Sequence, residues 1–209
     1  MSALVFDVDG TLWDSARPVA ESWSLITTER LGFPVTESMM RSAMGLTMDE
    51  IAERLFPILE KKERSLVLKE CEVQENAYLL DHPGTLYPEV EKTLAELKKR
   101  HSLFIVSNSQ KGYVEAFLAS TRLDAYFSAH LCYGDNLLPK DGNISLILKS
   151  NGFLRGYYIG DTHKDELATE KTGSKFIHAS YGFGTSERPY KSISKFADLL
   201  TLDREGFLE

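Results

Sequence analysis

Two aspartates stand two residues apart near the start of the chain, in the run DVDGT at residues 7–11. The apolar stretch Ala3–Phe6 precedes them and is typical of a buried strand. Ligands of open parallel sheets bind just beyond the carboxyl ends of the strands, and Gly10 lets the backbone turn sharply there. We therefore predict that Asp7 and Asp9 serve one polar site. The alternative is an Asp-Gly turn with an unrelated second aspartate.

A second acidic group follows another apolar stretch, Tyr157–Ile159. Gly160 and Asp161 come directly after it, and Asp165 lies four residues beyond Asp161. An aspartate at the start of a helix is also an ordinary capping residue. Taken alone, this group does not separate a functional site from a helix cap.

Two further groups could bind an anion. Ser107 and Asn108 follow the apolar stretch Leu103–Val106, where a hydroxyl and backbone N–H groups would suit a phosphate oxygen. Lys140 lies in a predicted loop ahead of the predicted helix Ile144–Ser150. Each has a structural alternative, because serine often caps a helix and a loop lysine is often simply solvated.

The four groups carry more weight together than apart. They bring acids, a hydroxyl and an ammonium group to one edge of one sheet. Several carboxylates in one pocket would repel one another unless a cation lay among them. A set of oxygen ligands without His or Cys favours Mg²⁺ over zinc.

Apolar stretches alternate with amphipathic ones along most of the chain, which predicts a parallel, doubly wound (Rossmann-like) α/β sheet. Residues 15–83 break this alternation because they contain only helical patterns. We predict an α/β core formed by residues 1–14 and 84–209, with an α-helical cap domain at 15–83 inserted after the first strand. The predicted strands are Ala3–Phe6, Leu103–Val106, His130–Cys132, Tyr157–Ile159 and Lys175–His178; the predicted cap helices are Pro18–Leu31, Glu37–Met44, Thr47–Phe56 and Lys61–Leu80.

Composition narrows the classes of partner. The chain has 209 residues and a formal net charge of −7, which argues against a nucleic-acid or anionic membrane surface. Cys71 and Cys132 are far apart, and there is no long apolar run or signal-like N-terminus. We expect a cytoplasmic protein, monomeric or homodimeric, that acts on a small molecule.

These motifs resemble those of the haloacid dehalogenase superfamily of phosphotransferases. The closest fit is the phosphoglycolate phosphatase-like branch, which has a helical cap after the first strand. The segment TLWDS after Gly10 and the segment YGFG at residues 181–184 also match that branch. In relatives the motif lysine is commonly followed by proline, whereas Asp141 and Gly142 follow Lys140 here.

The resemblance implies a Mg²⁺-dependent phosphatase that hydrolyses a small phosphorylated metabolite, of the phosphoglycolate or sugar-phosphate type, through an aspartyl-phosphate. Asp7 would be the nucleophile, and Asp9 would be the general acid and base. Asp7, the main-chain carbonyl of Asp9 and Asp161 would hold Mg²⁺. The transferring phosphoryl group would be bound by Ser107, Asn108 and Lys140, with supporting roles for Thr11, Gly160 and Asp165.

Other activities remain open at this point. A phosphomutase of the β-phosphoglucomutase kind shares every core motif and differs mainly in its cap. A non-catalytic phosphate sensor or scaffold is the alternative from another class. Candidates for substrate specificity lie near the insert boundaries or on its helices: Trp13, Arg41 and Gly45. Trp23 and Met44 are expected in the cap core instead.

Overall fold

A parallel sheet of six strands forms the centre of the computed structural model, which describes residues 1–209. Its strand order is β5-β4-β1-β6-β7-β8, and every neighbouring pair is parallel. Helices flank the sheet, so the predicted doubly wound α/β fold is confirmed. The strands, including a separate two-stranded pair, are β1 Ala3–Phe6, β2 Trp13–Asp14, β3 Thr85–Leu86, β4 Ser102–Ser107, β5 Ala129–Cys132, β6 Tyr157–Gly160, β7 Lys175–Ala179 and β8 Lys191–Ile193.

Strand β1 lies in the middle of the sheet and is buried on both faces. Leu4 and Phe6 pack into the larger of two hydrophobic clusters, and Ala3 and Val5 pack into the smaller one. Alternate residues of a strand point to opposite faces, so a fully apolar strand needs cover on both sides. Short stretches rich in apolar residues made the five main strands predictable; β8, with a single buried residue, was not predicted.

Ten α-helices and one short 3₁₀ segment, Asp124–Tyr126, complete the chain. None of the helices is both long enough and apolar enough to cross a membrane. The helices are α1 Ala16–Leu31, α2 Glu37–Arg41, α3 Met48–Leu55, α4 Lys61–Asp81, α5 Val90–Leu97, α6 Tyr113–Thr121, α7 Tyr133–Asn136, α8 Lys140–Ser150, α9 His163–Thr172 and α10 Asp198–Arg204.

Helices α1–α4, called the helical insert below, lie between β2 and β3. These two strands pair antiparallel, with Trp13 opposite Leu86 and Asp14 opposite Thr85. The sequence did not predict this pair, because two-residue strands carry no periodic pattern. Helix α2 ends at Arg41, three residues earlier than predicted, and the chain then turns through Gly45 at φ +80°.

Helix α8, the second helix after β5, differs from the prediction. Helix α8 begins at Lys140 rather than Ile144, so Lys140 is not a loop residue. Pro139 occupies the N-cap, and its carbonyl accepts the Asn143 N–H at 3.0 Å. Gly142 is a poor helix former, which concealed the first turn; the Asn143 side chain anchors that turn by donating to the Cys132 and Leu138 carbonyls.

Candidate active site

Three neighbouring strands end at the same edge of the sheet and carry the polar groups predicted from the sequence. Asp7 follows β1, Ser107 ends β4, and Asp161 follows β6. Phe6 of β1 is in register with Ile105 on one side and Ile159 on the other. Parallel pairing therefore brings together residues that are more than 150 positions apart in the chain.

Asp7, Asp161 and Asp165 form a buried acidic cluster. One carboxylate oxygen from each lies within 4.8 Å of the others. The ammonium group of Lys140, also buried, lies 3.1 Å from Asp7 Oδ1 and donates to Asp165 Oδ1 at 2.5 Å. Because Lys140 is the first residue of α8, the helix start delivers this side chain to the cluster.

A single lysine does not compensate three carboxylates. Burial raises the pKa of Asp7 to about 7; Lys140 opposes this shift, and the charges of Asp165 and Asp9 add to it. Burial raises the pKa of Asp161 well above its ordinary value, and Asp165 and Asp7 raise it further. The cluster has the charge imbalance that a divalent cation would relieve.

The oxygen atoms near this cluster fit a hard cation. Asp161 Oδ2 accepts the Phe183 N–H at 2.7 Å, whereas Asp161 Oδ1 is buried without any hydrogen-bond partner. In the turn after β1, the main-chain carbonyls of Val8 and Trp13 accept hydrogen bonds, whereas the main-chain carbonyl of Asp9 accepts none. Together with Asp7, these are oxygen ligands of the type that Mg²⁺ takes.

Asp165 differs from the other two acids because protein groups already satisfy both of its oxygens. Oδ1 accepts from Lys140, and Oδ2 accepts from the backbone N–H and the hydroxyl of Thr162 at 3.0 and 2.7 Å. The Thr162 hydroxyl in turn accepts the Asp165 N–H, which completes a capping box at the start of α9. Asp165 is therefore built to hold Lys140 and the β6–α9 turn in place.

The two oxygens of Asp9 have different surroundings. Oδ1 accepts three hydrogen bonds, from the Trp13 indole at 2.9 Å, the Ser15 hydroxyl at 2.5 Å and the Tyr113 hydroxyl at 2.6 Å. Oδ2 has no partner, and Asp9 lines the cavity. Burial raises the pKa of Asp9, although the hydrogen bonds from Ser15, Tyr113 and Trp13 oppose the shift. The side chain is thus fixed through one oxygen and free at the other.

The turn after Asp9 requires glycine. Gly10 has φ +78°, and a side chain there would collide with the Asp161 carboxylate and the Phe183 ring. Residue 182 must also be glycine, because a Cβ there would collide with the Asp161 side chain and the Gly10 carbonyl, each at 2.4 Å. The segment at residues 181–184 was noted in the sequence only because it matches the family. In the structure it orients Asp161 through the Phe183 N–H. The Tyr181 hydroxyl fastens it to the Thr11 carbonyl at 2.9 Å.

Ser107 and Asn108 face the helical insert across the cavity. Ser107 is buried, and its Oγ accepts the Ser109 N–H at 3.2 Å. The Asn108 amide donates to the Gly45 carbonyl at 3.1 Å. A Cβ on Gly45 would approach the Thr162 methyl to 2.9 Å. The insert is therefore seated tightly on the sheet edge.

A narrow cavity of about 40 Å³ lies between the sheet edge and the insert. Its floor is polar and includes Asp7, Asp9 and Lys140. Its roof comes from the insert and is largely apolar. The roof residues are Val19, Trp23, Met40, Met44, Gly45, Leu46, Met48 and Ile51, together with one acid, Glu75.

The three specificity candidates occupy different positions. Gly45 lines the cavity. Trp13 is completely buried beside Asp9 and does not line it, because its indole N–H is directed at the Asp9 carboxylate. Arg41 lies outside the cavity, where it pairs with Asp14 at 2.5 Å and covers the Phe183 ring at 5.3 Å.

Sequence reasoning missed several residues of this site: Ser15, Glu75, Ser109, Gln110 and Tyr113. Tyr113 and Glu75 lie on helices, where a single polar residue on a buried face gives no motif. Ser15 was included only in the TLWDS match. Trp23 and Met44, expected to be core residues, are indeed packed in or against the main core, and both also reach the cavity.

Comparison with known proteins agrees with this arrangement. Residues 4–179 match the family of haloacid dehalogenase-like hydrolases. The chain belongs to this family. Among curated relatives, phosphoglycolate phosphatases from Photorhabdus laumondii and Aquifex aeolicus are each 28% identical, over 95% and 97% of this chain and 91% and 96% of their own.

Solved structures share the haloacid dehalogenase fold. A protein from Haemophilus somnus described as a predicted phosphoglycolate phosphatase superposes with a TM-score of 0.85 at 22% identity, covering 97% of this chain and 98% of its own. A predicted phosphatase from Clostridium acetobutylicum gives 0.82 at 19% identity, covering 99% and 98%. The resemblance inferred from DVDGT and the later motifs is confirmed at the family level.

Proposed function

We propose that this haloacid dehalogenase-like hydrolase is a Mg²⁺-dependent phosphatase of small phosphate monoesters. The observation that carries the proposal is the buried set of Asp7, Asp161, Asp165 and Lys140 beneath a closed cavity, with Asp9 held at its edge. The curated relatives named phosphoglycolate phosphatase support it. The free thiols of Cys71 and Cys132 are consistent with the cytoplasmic setting that we include in the proposal.

Asp7 would supply the nucleophile. One of its carboxylate oxygens attacks phosphorus, the ester P–O bond breaks, and an aspartyl-phosphate forms. Lys140 fixes this carboxylate through its contact with Oδ1 at 3.1 Å and would offset charge on the phosphoryl oxygens. Ser107 and Asn108 would bind those oxygens from the end of β4.

Asp9 would move the protons. Its unpartnered Oδ2 donates a proton to the leaving ester oxygen, and the resulting carboxylate then accepts a proton from the water that attacks the aspartyl-phosphate. That second step releases inorganic phosphate and restores Asp7. The hydrogen bonds to Oδ1 from Trp13, Ser15 and Tyr113 hold Oδ2 toward the cavity.

Mg²⁺ would be held by Asp7, the Asp9 carbonyl and Asp161. When bound it would neutralise charge on the transferring phosphoryl group. Asp165 would position Lys140 and the β6–α9 turn rather than donate a ligand, since both of its oxygens are already hydrogen-bonded.

The proposal is tested by replacing the nucleophile. Asp7→Asn should reduce phosphate release from 4-nitrophenyl phosphate with Mg²⁺ to the background rate, because an amide does not form the acyl-phosphate. Asp49→Asn, which removes an equal charge from the exposed start of α3, is the matched control and should retain wild-type turnover. Turnover by a folded Asp7→Asn protein within tenfold of wild type would refute the nucleophile. Glucose 1-phosphate isomerisation that exceeds phosphate release would favour a mutase.

A further inference from the structure

The roof of the cavity contains one ionisable group that the proposed reaction does not use. Glu75 lies on α4 of the helical insert, is 3% exposed and lines the same cavity as Asp7 and Asp9. Its only hydrogen bond to a neighbouring side chain comes from the Trp23 indole to Oε2. Its second carboxyl oxygen, Oε1, therefore has no fixed donor.

The side-chain amide of Gln110 is oriented so that its oxygen adds a second hydrogen-bond acceptor to the cavity. Asn76 donates its amide to the Lys111 carbonyl at 2.9 Å, so its side-chain oxygen accepts from Gln110 Nε2 at 3.0 Å. This fixes the Gln110 amide with Oε1 on the other side, where it is buried and has no partner. Gln110 lines the cavity with Glu75, and so does Ser109, whose hydroxyl also lacks a partner. A buried acceptor without a donor is costly, so this end of the cavity favours a ligand that donates hydrogen bonds.

The cavity offers no free cation to a ligand. Lys140 is the sole basic residue among its lining residues, and Asp7 and Asp165 already hold its ammonium group. Arg41 is paired outside the cavity with Asp14. A substrate carboxylate in the leaving group would therefore be buried opposite Glu75 without an ion-pair partner.

Glu75 accommodates a hydroxyl in either protonation state. Burial raises its pKa to about 8, and the neighbouring side chains of Trp23 and Gln110 oppose the shift. As a carboxylate it would accept from a hydroxyl, and as a carboxylic acid it would donate to one. The rest of the roof, including Met44, Leu46 and Ile51, is apolar and suits a hydrocarbon stem.

We propose that Glu75 is a specificity-determining residue. With the side-chain oxygen Oε1 of Gln110 it selects phosphate esters whose leaving group is an uncharged alcohol carrying a further hydroxyl, and it disfavours leaving groups that carry a carboxylate. This inference rests on the proposed phosphatase function. The expected substrate therefore differs from the one in the relatives' names, because phosphoglycolate carries a carboxylate.

Three esters of equal chain length give the direct test. 2-Hydroxyethyl phosphate, phosphoglycolate and O-phosphoethanolamine end in a hydroxyl, a carboxylate and an ammonium group. With the full chain and Mg²⁺, kcat/KM for the hydroxyl ester should exceed that for phosphoglycolate by at least about tenfold, because burying the unpaired carboxylate of phosphoglycolate costs more free energy than burying a hydroxyl. The ammonium ester should not exceed the hydroxyl ester by tenfold, because selection is for an uncharged donor.

A charge-removing substitution connects the preference to Glu75. Glu75→Gln keeps an acceptor for Trp23 and turns a donor toward the cavity, so the hydroxyl-to-carboxylate ratio of kcat/KM should fall about tenfold. Glu63→Gln on the exposed face of the same helix is the matched control and should leave the ratio unchanged within twofold. The ratio cancels any general loss of activity that a purely structural role of Glu75 would produce.

The outcomes separate the two proposals. If no ester, including 4-nitrophenyl phosphate, releases phosphate with Mg²⁺, the phosphatase proposal fails and the inference fails with it. If 4-nitrophenyl phosphate is hydrolysed but phosphoglycolate is used as well as the hydroxyl ester, only the inference fails. A tenfold preference for the ammonium ester, or a folded Glu75→Gln protein with an unchanged ratio, also overturns it.

Discussion

The environment of Asp9 explains why a second aspartate two residues after the first matters to the chemistry. Three donors bond to Oδ1 together, and they come from three parts of the chain: Trp13 of β2, Ser15 just before α1, and Tyr113 of α6. They hold the carboxyl in one orientation while leaving Oδ2 without a partner. As the proposed proton donor, Asp9 held in this way would suit an ester with a poor leaving group.

Replacing Asp9 by Asn should therefore lower kcat for alkyl phosphates by about 10²–10⁴-fold, the usual contribution of general acid–base catalysis. The substitution removes the proton donor but retains the main-chain carbonyl proposed as a Mg²⁺ ligand. Steady-state kinetics with 2-hydroxyethyl phosphate measures the loss, and Mg²⁺-dependent stabilisation of the variant checks that the metal still binds.

The leaving group supplies the control for this prediction. 4-Nitrophenolate leaves without protonation, so the loss with 4-nitrophenyl phosphate should be markedly smaller in the first step. Wild-type rates of Asp9→Asn on the alkyl ester would contradict the acid/base role. Equal losses on both esters would point to a positioning role instead.

At the residue scale, sequence reasoning found side chains that follow buried strands and missed those on helices. Asp7, Ser107 and Asp161 were located because parallel strands deliver their ends to one edge. Glu75 and Tyr113 were not, since each is one polar residue on an otherwise apolar buried helix face. Their roles depend on how the insert packs on the sheet, which no local pattern encodes.

Contacts between elements hold the helical insert against the core. Asn108 after β4 donates to Gly45, Arg41 of α2 pairs with Asp14 of β2, and Lys164 of α9 pairs with Glu50 of α3 at 2.6 Å. The last pair joins the turn that carries Asp161 to the insert helix that lines the roof. We expect these contacts to open when a substrate enters the cavity.

Lys164→Ala should favour opening, because it removes one ion pair across this junction. An exposed pair contributes at most about 1 kcal/mol, so we expect KM to rise by no more than about fivefold. Hydrogen exchange at backbone amides of residues 45–50 should accelerate by a similar factor. Lys149→Ala, at the exposed end of α8, is the control. Unchanged KM together with unchanged exchange would show that this pair does not hold the insert.

The boundaries of strands and helices were predictable where the hydrophobic pattern was strong and were missed where it was weak. The central strands have the predicted positions to within a residue or two. The β2–β3 pair was not predicted, since strands of two residues are too short to show a period. The predicted start of helix α8 was four residues too late because Gly142 is a poor helix former. This error placed Lys140 in a loop instead of at the start of a helix.

For the molecule as a whole, the acidic cluster has a cost in stability that depends on pH. Asp7 and Asp161 have pKa values above their ordinary range, so these two groups bind more protons in the folded chain than in the unfolded chain. By linkage, this contribution lowers the free energy of unfolding as pH rises from about 4 through the pKa of Asp7 near 7. A bound cation would remove the penalty by pairing with the carboxylates.

Asp161→Asn should therefore have opposite effects with and without metal. In EDTA at pH 8 the variant should be more stable than wild type by about 1–2 kcal/mol, because one buried charge in a repelling set is gone. In Mg²⁺ at a hundred times its Kd, wild type should gain about 2.7 kcal/mol and the variant far less. At pH 5.5 the EDTA difference should shrink, since the wild-type cluster is then partly protonated.

Thermal unfolding in the two buffers at both pH values measures all of these differences, with Asp49→Asn as the control for loss of an exposed charge. The sign of the EDTA result is decisive. If Asp161 served only to hold the segment at residues 181–184 through Phe183, its replacement would destabilise the fold in every buffer. A gain in EDTA with a loss of the Mg²⁺ response requires instead that this carboxylate is kept, at a cost to the fold, for a cation.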